Sequence, residues 1–370
     1  MGIVKQGYKQ TDIGIIPMDW EVKAVLNIAP LQRGFDLPIN NISNGLYPVV
    51  FSNGILKSHK VYRVKGPGVV TGRSGTIGKL FYVAKDFWPH NTTLWVTNFK
   101  GNSPKFVYYL FNRLNFNTLA TVSGVPTLNR NDIHDLRIAI PNSKDEQTAI
   151  GTALSDIDAL IAALDKKIAK KQHIKKGAMQ QLLTGKKHLP GFSGTWVEKT
   201  YNDIFQKIPS KKFQISSVQY LEYGKYKIID QGKKDFIGYT NDETKLFQCE
   251  KDGVIIFGDH TRIIKYSNFD FVVGADGVQL LLCKQGFSCK FIYYLLAIFE
   301  IPNTGYNRHF KFLKEFNCFL PQNKTEQTAI AQILTDMDNE IAQLEKERDK
   351  YKELKVGMMQ VLLTGKVRLV

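Results

Sequence analysis

Apolar side chains recur at alternating steps of four and three residues in two long stretches of the chain. The first stretch carries them at Ile150, Leu154, Ile157, Ile161, Leu164 and Ile168. The second carries them at Ile330, Leu334, Met337, Ile341 and Leu344. A seam this narrow is the heptad pattern of a coiled coil rather than the wider apolar stripe of an ordinary surface helix.

Both seams have helix boundaries at matching places. Pro141 and Pro321 lie just before them, and Gly185 and Gly365 follow them as residues that readily take the positive φ of a helix end. No proline interrupts either run. The pattern therefore predicts two helices of about 40 residues, each about 60 Å long at about 1.5 Å per residue.

The two predicted helices are copies of one another. Residues 141–189 align without a gap to residues 321–369, and 25 of the 49 aligned positions are identical. Both copies contain Glu-Gln-Thr-Ala-Ile near the start and Leu-Leu-Thr-Gly-Lys at the end. A duplication explains this identity. Since each narrow seam needs an apolar partner, the simplest partner for one copy is the other.

Two globular stretches, about 20–140 and 196–320, alternate with the helices. Short β-rich runs at 47–51 and 68–71 in the first are matched in order by runs at 226–230 and 253–257 in the second. We therefore predict an α+β fold class with two mixed α/β domains. The predicted boundaries are 1–140 for the N-terminal segment and first domain, 141–189 for a central helix, 190–320 for the second domain and 321–370 for a C-terminal helix.

Positive charge is concentrated in the first globular stretch. Lys and Arg outnumber Asp and Glu by 50 to 34 in the whole chain. Residues 20–140 carry 14 cationic and 5 anionic side chains, whereas residues 190–320 carry 17 and 14. The excess favours a polyanionic partner such as nucleic acid, and it makes the first domain the stronger candidate for phosphate contacts.

Two sets of residues connect these observations with a known family. One is Tyr-Lys-Gln-Thr-Asp-Ile-Gly-Ile-Ile-Pro-Met-Asp-Trp-Glu-Val at residues 8–22. The other is the pair of helices that start with Pro-x-x-x-x-Glu-Gln and end in Leu-Leu-Thr-Gly-Lys. In this order the chain resembles the DNA specificity subunits of type I restriction-modification systems over essentially its whole length. A small departure is Lys144-Asp145 and Lys324-Thr325, where the family more often has a longer proline-rich lead.

The resemblance implies an architecture and a set of partners. Two target recognition domains, one for each half of a split DNA site, are separated by two conserved helices that pack as an antiparallel coiled coil with pseudo-twofold symmetry. Double-stranded DNA, two methyltransferase subunits and two restriction/translocase subunits are the implied partners. S-adenosylmethionine, ATP and Mg²⁺ are implied for those subunits, and no cofactor or metal for this chain.

The glycine-rich segment 72–79 is the most distinctive candidate for DNA contact in the first domain. It resembles a phosphate-binding P-loop but fails on spacing, because Arg73 stands where glycine is needed and Leu80 where Ser or Thr is needed. A turn between strands or a DNA-facing loop are the remaining interpretations, and the family resemblance favours the loop. The candidate DNA-binding residues here are Asn53, Lys57, Arg73, Ser74, Thr76, Lys79, His90 and Asn91.

The positional equivalent in the second domain is the segment 258–262. Further polar clusters lie beside aromatic residues at 90–91 in the first domain and at 306–309 in the second. Asn suits bidentate contact with adenine and Arg with guanine, although each cluster could equally be a turn that satisfies its own backbone. The candidate DNA-binding residues here are Gln231, Lys233, Asp259, His260, Thr261, Arg262, Asn307 and Arg308.

The sequence gives no support for catalysis by this chain. It lacks the Asn/Asp-Pro-Pro-Tyr/Phe motif of amino-methyltransferases, a usable P-loop and a convincing nuclease cluster. Two rival classes stay open: a nuclease with a divergent site, and a coiled-coil scaffold that binds only proteins. The four cysteines form no metal-binding pattern, and no apolar run is long enough for a membrane span or signal peptide. We therefore expect a non-enzymatic protein of the cytoplasm that does not bind membranes.

Overall fold

The structure is a computed structural model that describes residues 6–119, 126–274, 277–305 and 307–369. The chain divides into two compact units, of which unit 1 is Met1–Lys166 with Glu345–Val370 and unit 2 is Lys167–Leu344. Each unit combines one globular stretch with part of both long helices. In the described ranges, no helix has both the length and the apolar character that crossing a bilayer requires.

Within the described residues, the globular part of unit 1 contains eleven strands and three short α-helices, followed by the start of the first long helix. The strands are β1 Tyr8–Thr11, β2 Gly14–Pro17, β3 Trp20–Ala24, β4 Leu31–Arg33, β5 Tyr47–Phe51, β6 Gly54–His59, β7 Gly68–Gly72, β8 Leu80–Val83, β9 Trp88–Pro89, β10 Thr93–Val96 and β11 Arg137–Pro141. The helices are α1 Val25–Ile28, α2 Pro104–Arg113, α3 Arg130–His134 and the long α4 Lys144–Leu182.

Unit 2 repeats this series, with ten strands in its described residues. Its strands are β12 Trp196–Thr200, β13 Phe205–Ile208, β14 Tyr226–Ile229, β15 Gly238–Thr240, β16 Leu246–Phe247, β17 Val254–Gly258, β18 Ile264–Ser267, β19 Phe271–Val273, β20 Val278–Cys283 and β21 Asn317–Pro321. Its helices are α5 Tyr201–Ile204, α6 Cys289–Ile298, α7 Phe310–Leu313 and the long α8 Lys324–Leu362.

The two units have one sheet with the same strand order and a second sheet with a matching parallel pair. A four-stranded antiparallel sheet has the order β4-β10-β7-β8 in unit 1 and β13-β20-β17-β18 in unit 2. A second sheet contains one parallel pair in each unit, β5 with β9 and β14 with β19. The strands β7 and β17 are buried along their whole length, which explains their continuous apolar sequences. The matching order of runs in the sequence therefore corresponds to a matching order of strands.

The Glu-Gln pair at the start of each long helix is buried and joins three elements. Gln147 Nε2 donates to the Pro141 carbonyl at 2.9 Å, and Gln147 Oε1 accepts from the Ser103 amide at 2.9 Å, just before α2. In unit 2, Gln327 makes the same two bonds to the Pro321 carbonyl and the Ser288 amide, each at 2.8 Å. Glutamine suits this position because its amide supplies a donor and an acceptor to buried backbone groups.

Ion pairs show how α4 and α8 run past each other within each unit. In unit 1, Asp158 pairs with Lys355 at 2.6 Å and Asp165 pairs with Arg348 at 3.6 Å. In unit 2, Lys171 pairs with Glu340 at 2.7 Å, and Lys175 pairs with Asp338. Because residue numbers rise in one helix as they fall in the other, the helices run in opposite directions in both units. The predicted seam residues Ile150, Leu154, Ile330 and Leu334 are fully buried.

The residues that follow α8 bind the start of α4 and the N-terminal part of unit 1. The Arg368 guanidinium binds the buried carboxylate of Glu146, with one bond at 2.8 Å, and the exposed carboxylate of Asp19 at 2.7 and 2.8 Å. The bonds that Arg368 donates to Glu146 and Asp19 raise the pKa of Arg368, and the bond to Glu146 has the larger effect. The bond that Asp19 accepts from Arg368 lowers the pKa of Asp19. In unit 2 the repeat equivalent is His188, whose Nδ1 lies 3.0 Å from Glu326 Oε1.

Candidate nucleic-acid interface

Three loops of unit 1 meet at one end of its sheets. They are the β5–β6 turn, the glycine-rich β7–β8 loop and the β9–β10 loop. The Arg73 amide donates to the Thr92 carbonyl at 2.8 Å, and the Ser52 amide donates to Thr92 Oγ1 at 3.3 Å. Lys79 Nζ donates to the Asn53 carbonyl at 3.2 Å. These bonds place Asn53, Arg73, Ser74, Thr76, Lys79, His90 and Asn91 in one cluster, which we call loop cluster 1.

Glycine is a steric requirement in loop cluster 1. A Cβ at Gly72 would lie 1.9 Å from the Thr76 carbonyl oxygen and 2.9 Å from that of Ser52, so no other residue fits without moving the backbone. Gly75 and Gly78 have φ of 83° and 69°, in the left-handed region that favours glycine. The loop is therefore held tightly against its neighbours, and its shape depends on the glycines that made it resemble a P-loop.

Some side chains of loop cluster 1 bind other groups of the protein, and others do not. In the described structure, the half-buried Arg73 side chain makes no hydrogen bond or ion pair, and Thr76 is exposed. His90 Nδ1 lies 3.0 Å from Thr92 Oγ1, and burial lowers the pKa of His90, which keeps the ring neutral near pH 7. Asn91 donates to the Asp36 carboxylate. Lys57 is exposed on β6 and lies opposite Val49, away from the turn.

Unit 2 brings its candidate residues together in the same part of the sheet. The His260 amide donates to Gln231 Oε1 at 3.1 Å, and Thr261 Oγ1 donates to the Gln231 carbonyl at 2.5 Å. The loop after β14 thus packs against the loop after β17. Lys233 is exposed in the first of these loops. We call Gln231, Lys233, His260 and Thr261, with the neighbouring Asn307 and Arg308, loop cluster 2.

Two predicted residues of unit 2 are engaged inside the protein. Asp259 is buried, and its Oδ1 accepts from the Phe310 amide at 2.8 Å while its carbonyl accepts from the His309 amide at 2.9 Å. Arg262 has a φ of 61° and donates to the Ile301 carbonyl at 3.0 Å. Both side chains brace the loop in this structure.

The polar segment after α6 lies against the same loop. The bonds between His309 and Asp259 hold its end, and Asn307 and Arg308 next to it are exposed. Tyr306, which the sequence places in this cluster, lies outside the described residues. Asn307 donates to the Thr304 carbonyl, so its amide is partly engaged by its own turn. Arg308 is therefore the more available of the two for an external ligand.

Sequence reasoning missed a brace behind loop cluster 2. Lys265 Nζ donates to the Asp230 carbonyl at 2.9 Å and lies 3.5 Å from the Asp230 carboxylate. Its side chain is only 11% exposed, and burial lowers the pKa of Lys265. An isolated lysine on a strand carries no sequence signal for such a role, because its partner lies 35 residues away.

A second feature missed from the sequence is a polar network present once in each unit. In unit 1, Tyr109 OH donates to Asp158 Oδ2 at 2.7 Å, and Asp158 also binds Lys355. In unit 2, Tyr294 OH donates to Asp338 Oδ2 at 2.8 Å, and Asp338 also binds Lys175. Each network ties the helix α2 or α6 to both long helices. The identical Asp and Lys in the two repeat copies were the signal that could have revealed it.

Comparisons with known proteins agree with this arrangement. The family model described as the type I restriction modification DNA specificity domain matches residues 17–175 and again residues 193–355. A Methanocaldococcus jannaschii protein provisionally named type I restriction enzyme MjaX specificity subunit is 26% identical over 417 residues, which cover 98% of this chain and 97% of that protein. The type I restriction enzyme EcoR124I/EcoR124II specificity subunit of Escherichia coli is 26% identical over 120 residues, or 32% of this chain and 29% of that subunit.

A solved structure has the same fold. The S subunit of a type I restriction-modification system from M. genitalium superposes with a TM-score of 0.71 at 18% identity, covering 93% of this chain and 96% of that one. The prediction of two mixed α/β domains is thereby confirmed. The specificity subunits of these systems are not catalytic, which confirms the prediction that the chain is not an enzyme. The two family matches cover most of its length, and the chain belongs to the family of type I restriction-modification DNA specificity proteins.

Proposed function

We propose that this chain reads a two-part DNA site, with loop cluster 1 contacting one half and loop cluster 2 the other. The observation that carries the proposal is that the two clusters occupy equivalent places on the same strand order but present different side chains. Two equivalent scaffolds with different surfaces are what a reader of two unlike half-sites needs.

The side chains of the two clusters suit different kinds of contact. Arg73 in loop cluster 1 and Arg308 in loop cluster 2 match a guanine edge or a phosphate. Asn91 and Gln231 carry the amide that pairs with adenine, and each would have to exchange its present contact with Asp36 or with the His260 amide for the base. Asp259 and Arg262 serve as braces in this proposal rather than as base contacts, because their polar groups already bind the protein. Exposed lysines such as Lys57 and Lys233 contact phosphates and carry no sequence information.

The long helices are the proposed spacer and scaffold. Heptad seams and ion pairs in opposite directions support an antiparallel coiled coil that relates the two recognition domains by pseudo-twofold symmetry. In this proposal two methyltransferase and two restriction/translocase subunits assemble on the chain in the cytoplasm. S-adenosylmethionine, ATP and Mg²⁺ then serve those partners.

Reversing the charge of Arg73 should weaken DNA binding at least about tenfold, since a loop that contacts a base or phosphate would then repel the duplex. The variant is Arg73→Glu, and fluorescence anisotropy with a labelled duplex over a series of salt concentrations measures the affinity. Lys346→Glu is the matched control, because Lys346 is exposed on α8 and makes no ion pair with a described residue. Equal losses in both variants would show that loop cluster 1 does not face DNA.

Specificity should be modular, because the recognition domains have diverged while the helices have not. Replacing residues 196–320 with the matching segment of a related specificity subunit is expected to change one half of the methylated sequence and leave the other half intact. Methylome sequencing of cells that carry the complete system measures the outcome. A change in both halves would contradict the assignment of one half-site to each domain.

A further inference from the structure

Two aliphatic side chains at the tip of the β5–β6 hairpin of unit 1 are exposed to solvent. Ile55 is 49% exposed and Leu56 is 63% exposed, and both belong to strand β6. In the described sheet, which has the order β6-β5-β9, β6 is an edge strand. Because apolar side chains on an exposed edge promote aggregation, proteins usually avoid them there. We call these two residues the aliphatic pair.

A β-bulge explains why two neighbouring side chains of one strand are both exposed. In a regular strand, neighbouring side chains point to opposite faces of the sheet. Here Lys57 pairs with Val49 and Ile55 pairs with Val50, so Leu56 is the additional residue of a bulge. Bulges are frequent beside functional sites, where they redirect a side chain. This bulge breaks the alternation and leaves both members of the aliphatic pair in solvent.

The aliphatic pair adjoins loop cluster 1. The turn just before it contains Asn53, whose carbonyl accepts from Lys79 Nζ at 3.2 Å. Val50 lies opposite Ile55 in the hairpin, and the Val50 carbonyl accepts from the His90 amide at 2.9 Å. The same end of the hairpin therefore carries the aliphatic pair and takes part in loop cluster 1.

The charge around the aliphatic pair favours a polyanionic partner over a protein. Residues 37–85 carry seven cationic side chains and no anionic one. Lys57 and Lys79, beside the pair and its turn, are both exposed. A second copy of this chain would meet the same cations and be repelled by them. DNA supplies phosphates for the lysines and, in the methyl group of thymine, an apolar group for the aliphatic pair.

We propose that the aliphatic pair contacts the C5-methyl groups of thymines in the half-site that loop cluster 1 reads. This inference rests on the proposed function and deepens it, because it assigns a base to two residues that carry no hydrogen-bonding side chain. The thymine methyl lies in the major groove, which is wide enough for a two-stranded β-ribbon such as the β5–β6 hairpin. Lys57 and Lys79 then contact the phosphates at the edge of the groove.

Unit 2 has no aliphatic pair at the equivalent place. The loop after β14 spans residues 230–237, all of which the structure describes, and it contains Lys233 and Lys234. No large apolar side chain in this loop is exposed. The methyl contact is therefore expected in one half-site, and the other half-site serves as an internal control.

The test compares duplexes that contain thymine or uracil, which lacks only the C5-methyl group. The probe is the sequence that the complete system methylates, and the protein is the full chain in complex with its methyltransferase subunits. The half-site of unit 1 is the one that stays unchanged when residues 196–320 are exchanged. Uracil in that half-site should weaken binding by wild type about fourfold for each lost methyl contact, which corresponds to the burial of about one CH₂ group. Uracil in the other half-site should leave the affinity unchanged.

Replacing Ile55 and Leu56 together by alanine should abolish this preference. The variant should bind the thymine duplex at least about fourfold more weakly than wild type, and it should bind the thymine and uracil duplexes equally well. The matched control is Ile39→Ala with Leu46→Ala, which removes two exposed aliphatic side chains that precede β5, whereas the turn follows it. This control should keep the wild-type affinity and the preference for thymine. Thermal unfolding checks that both variants are folded.

Separate outcomes distinguish the two proposals. If the wild-type complex binds no duplex in a sequence-specific way, the proposed function itself fails. If wild type binds and uracil in the half-site of unit 1 has no effect, or that half-site has no thymine on either strand, the inference about the aliphatic pair is overturned. A double alanine variant that still prefers thymine, or a control that loses as much affinity, also overturns it. Normal DNA binding by a variant that no longer assembles with its partners would assign the pair to a protein interface instead.

Discussion

Replacing Arg368 by alanine should lower the free energy of unfolding of unit 1 by about 2–3 kcal/mol. The Glu146 carboxylate is completely buried, and Arg368 is its cationic partner in the structure. Without Arg368, the Glu146 carboxylate keeps one side-chain hydrogen bond among the described residues, the one that it accepts from Trp20 Nε1 at 3.2 Å. A buried charge without its partner usually costs about 3–5 kcal/mol, and the expected cost lies at or just below the low end of that range because water reaches Arg368, which is 26% exposed.

Hydrogen–deuterium exchange localises this effect. Exchange should accelerate in residues 141–150, where Glu146 lies, and stay unchanged in the equivalent residues 321–330 of unit 2. Lys366→Ala is the control, since it removes a positive charge from the same tail at an exposed position. The double variant Glu146→Gln with Arg368→Ala should recover part of the loss, because no charge is then left buried. Equal destabilisation by Lys366→Ala would show that the tail acts through its charge in general.

The long helices could be predicted from the sequence because their information is local. Heptad spacing, a preceding proline and a following glycine locate α4 and α8, and Gly185 and Gly365 do have the positive φ expected of a helix end, at 68° and 71°. The role of the Glu-Gln pair could not be predicted in the same way. Glu146 meets Arg368 across 222 residues, and no local pattern encodes such a contact.

For the candidate DNA-contact residues, too, local features could be predicted from the sequence and long-range contacts could not. The glycine-rich loop could be predicted from the sequence because its glycines meet a local steric requirement, the close approach of backbone atoms at Gly72. The engagement of Asp259 and Arg262 was not visible, because their partners Phe310 and Ile301 lie 51 and 39 residues away. Residue type therefore identified the loops, and only the tertiary fold distinguishes side chains that brace a loop from those that face outward.

Lengthening both long helices by one heptad should move the two half-sites apart without changing either. Seven residues keep the apolar seam in phase and add about 10 Å, which corresponds to about 3 base pairs at about 3.4 Å each. The ion pairs indicate where to insert them. An insertion after Lys166 and another after Lys346 leave Asp158–Lys355, Asp165–Arg348, Lys171–Glu340 and Lys175–Asp338 in a common register. Insertions at Ala169 and Asp349 would instead displace Arg348 from Asp165.

Methylome sequencing of cells that carry the lengthened subunit with its partners measures the result. Both half-sites should keep their bases, and the unread interval between them should grow, because the recognition loops are untouched while the proposed spacer is longer. A control with the heptad in α4 alone should be inactive. The α4–α8 ion pairs of unit 1 and those of unit 2 then cannot all form together, because only one of the two helices has been lengthened. An active enzyme with the original interval would show that the helices do not set the distance. A heptad is used because it is the smallest insertion that preserves the seam.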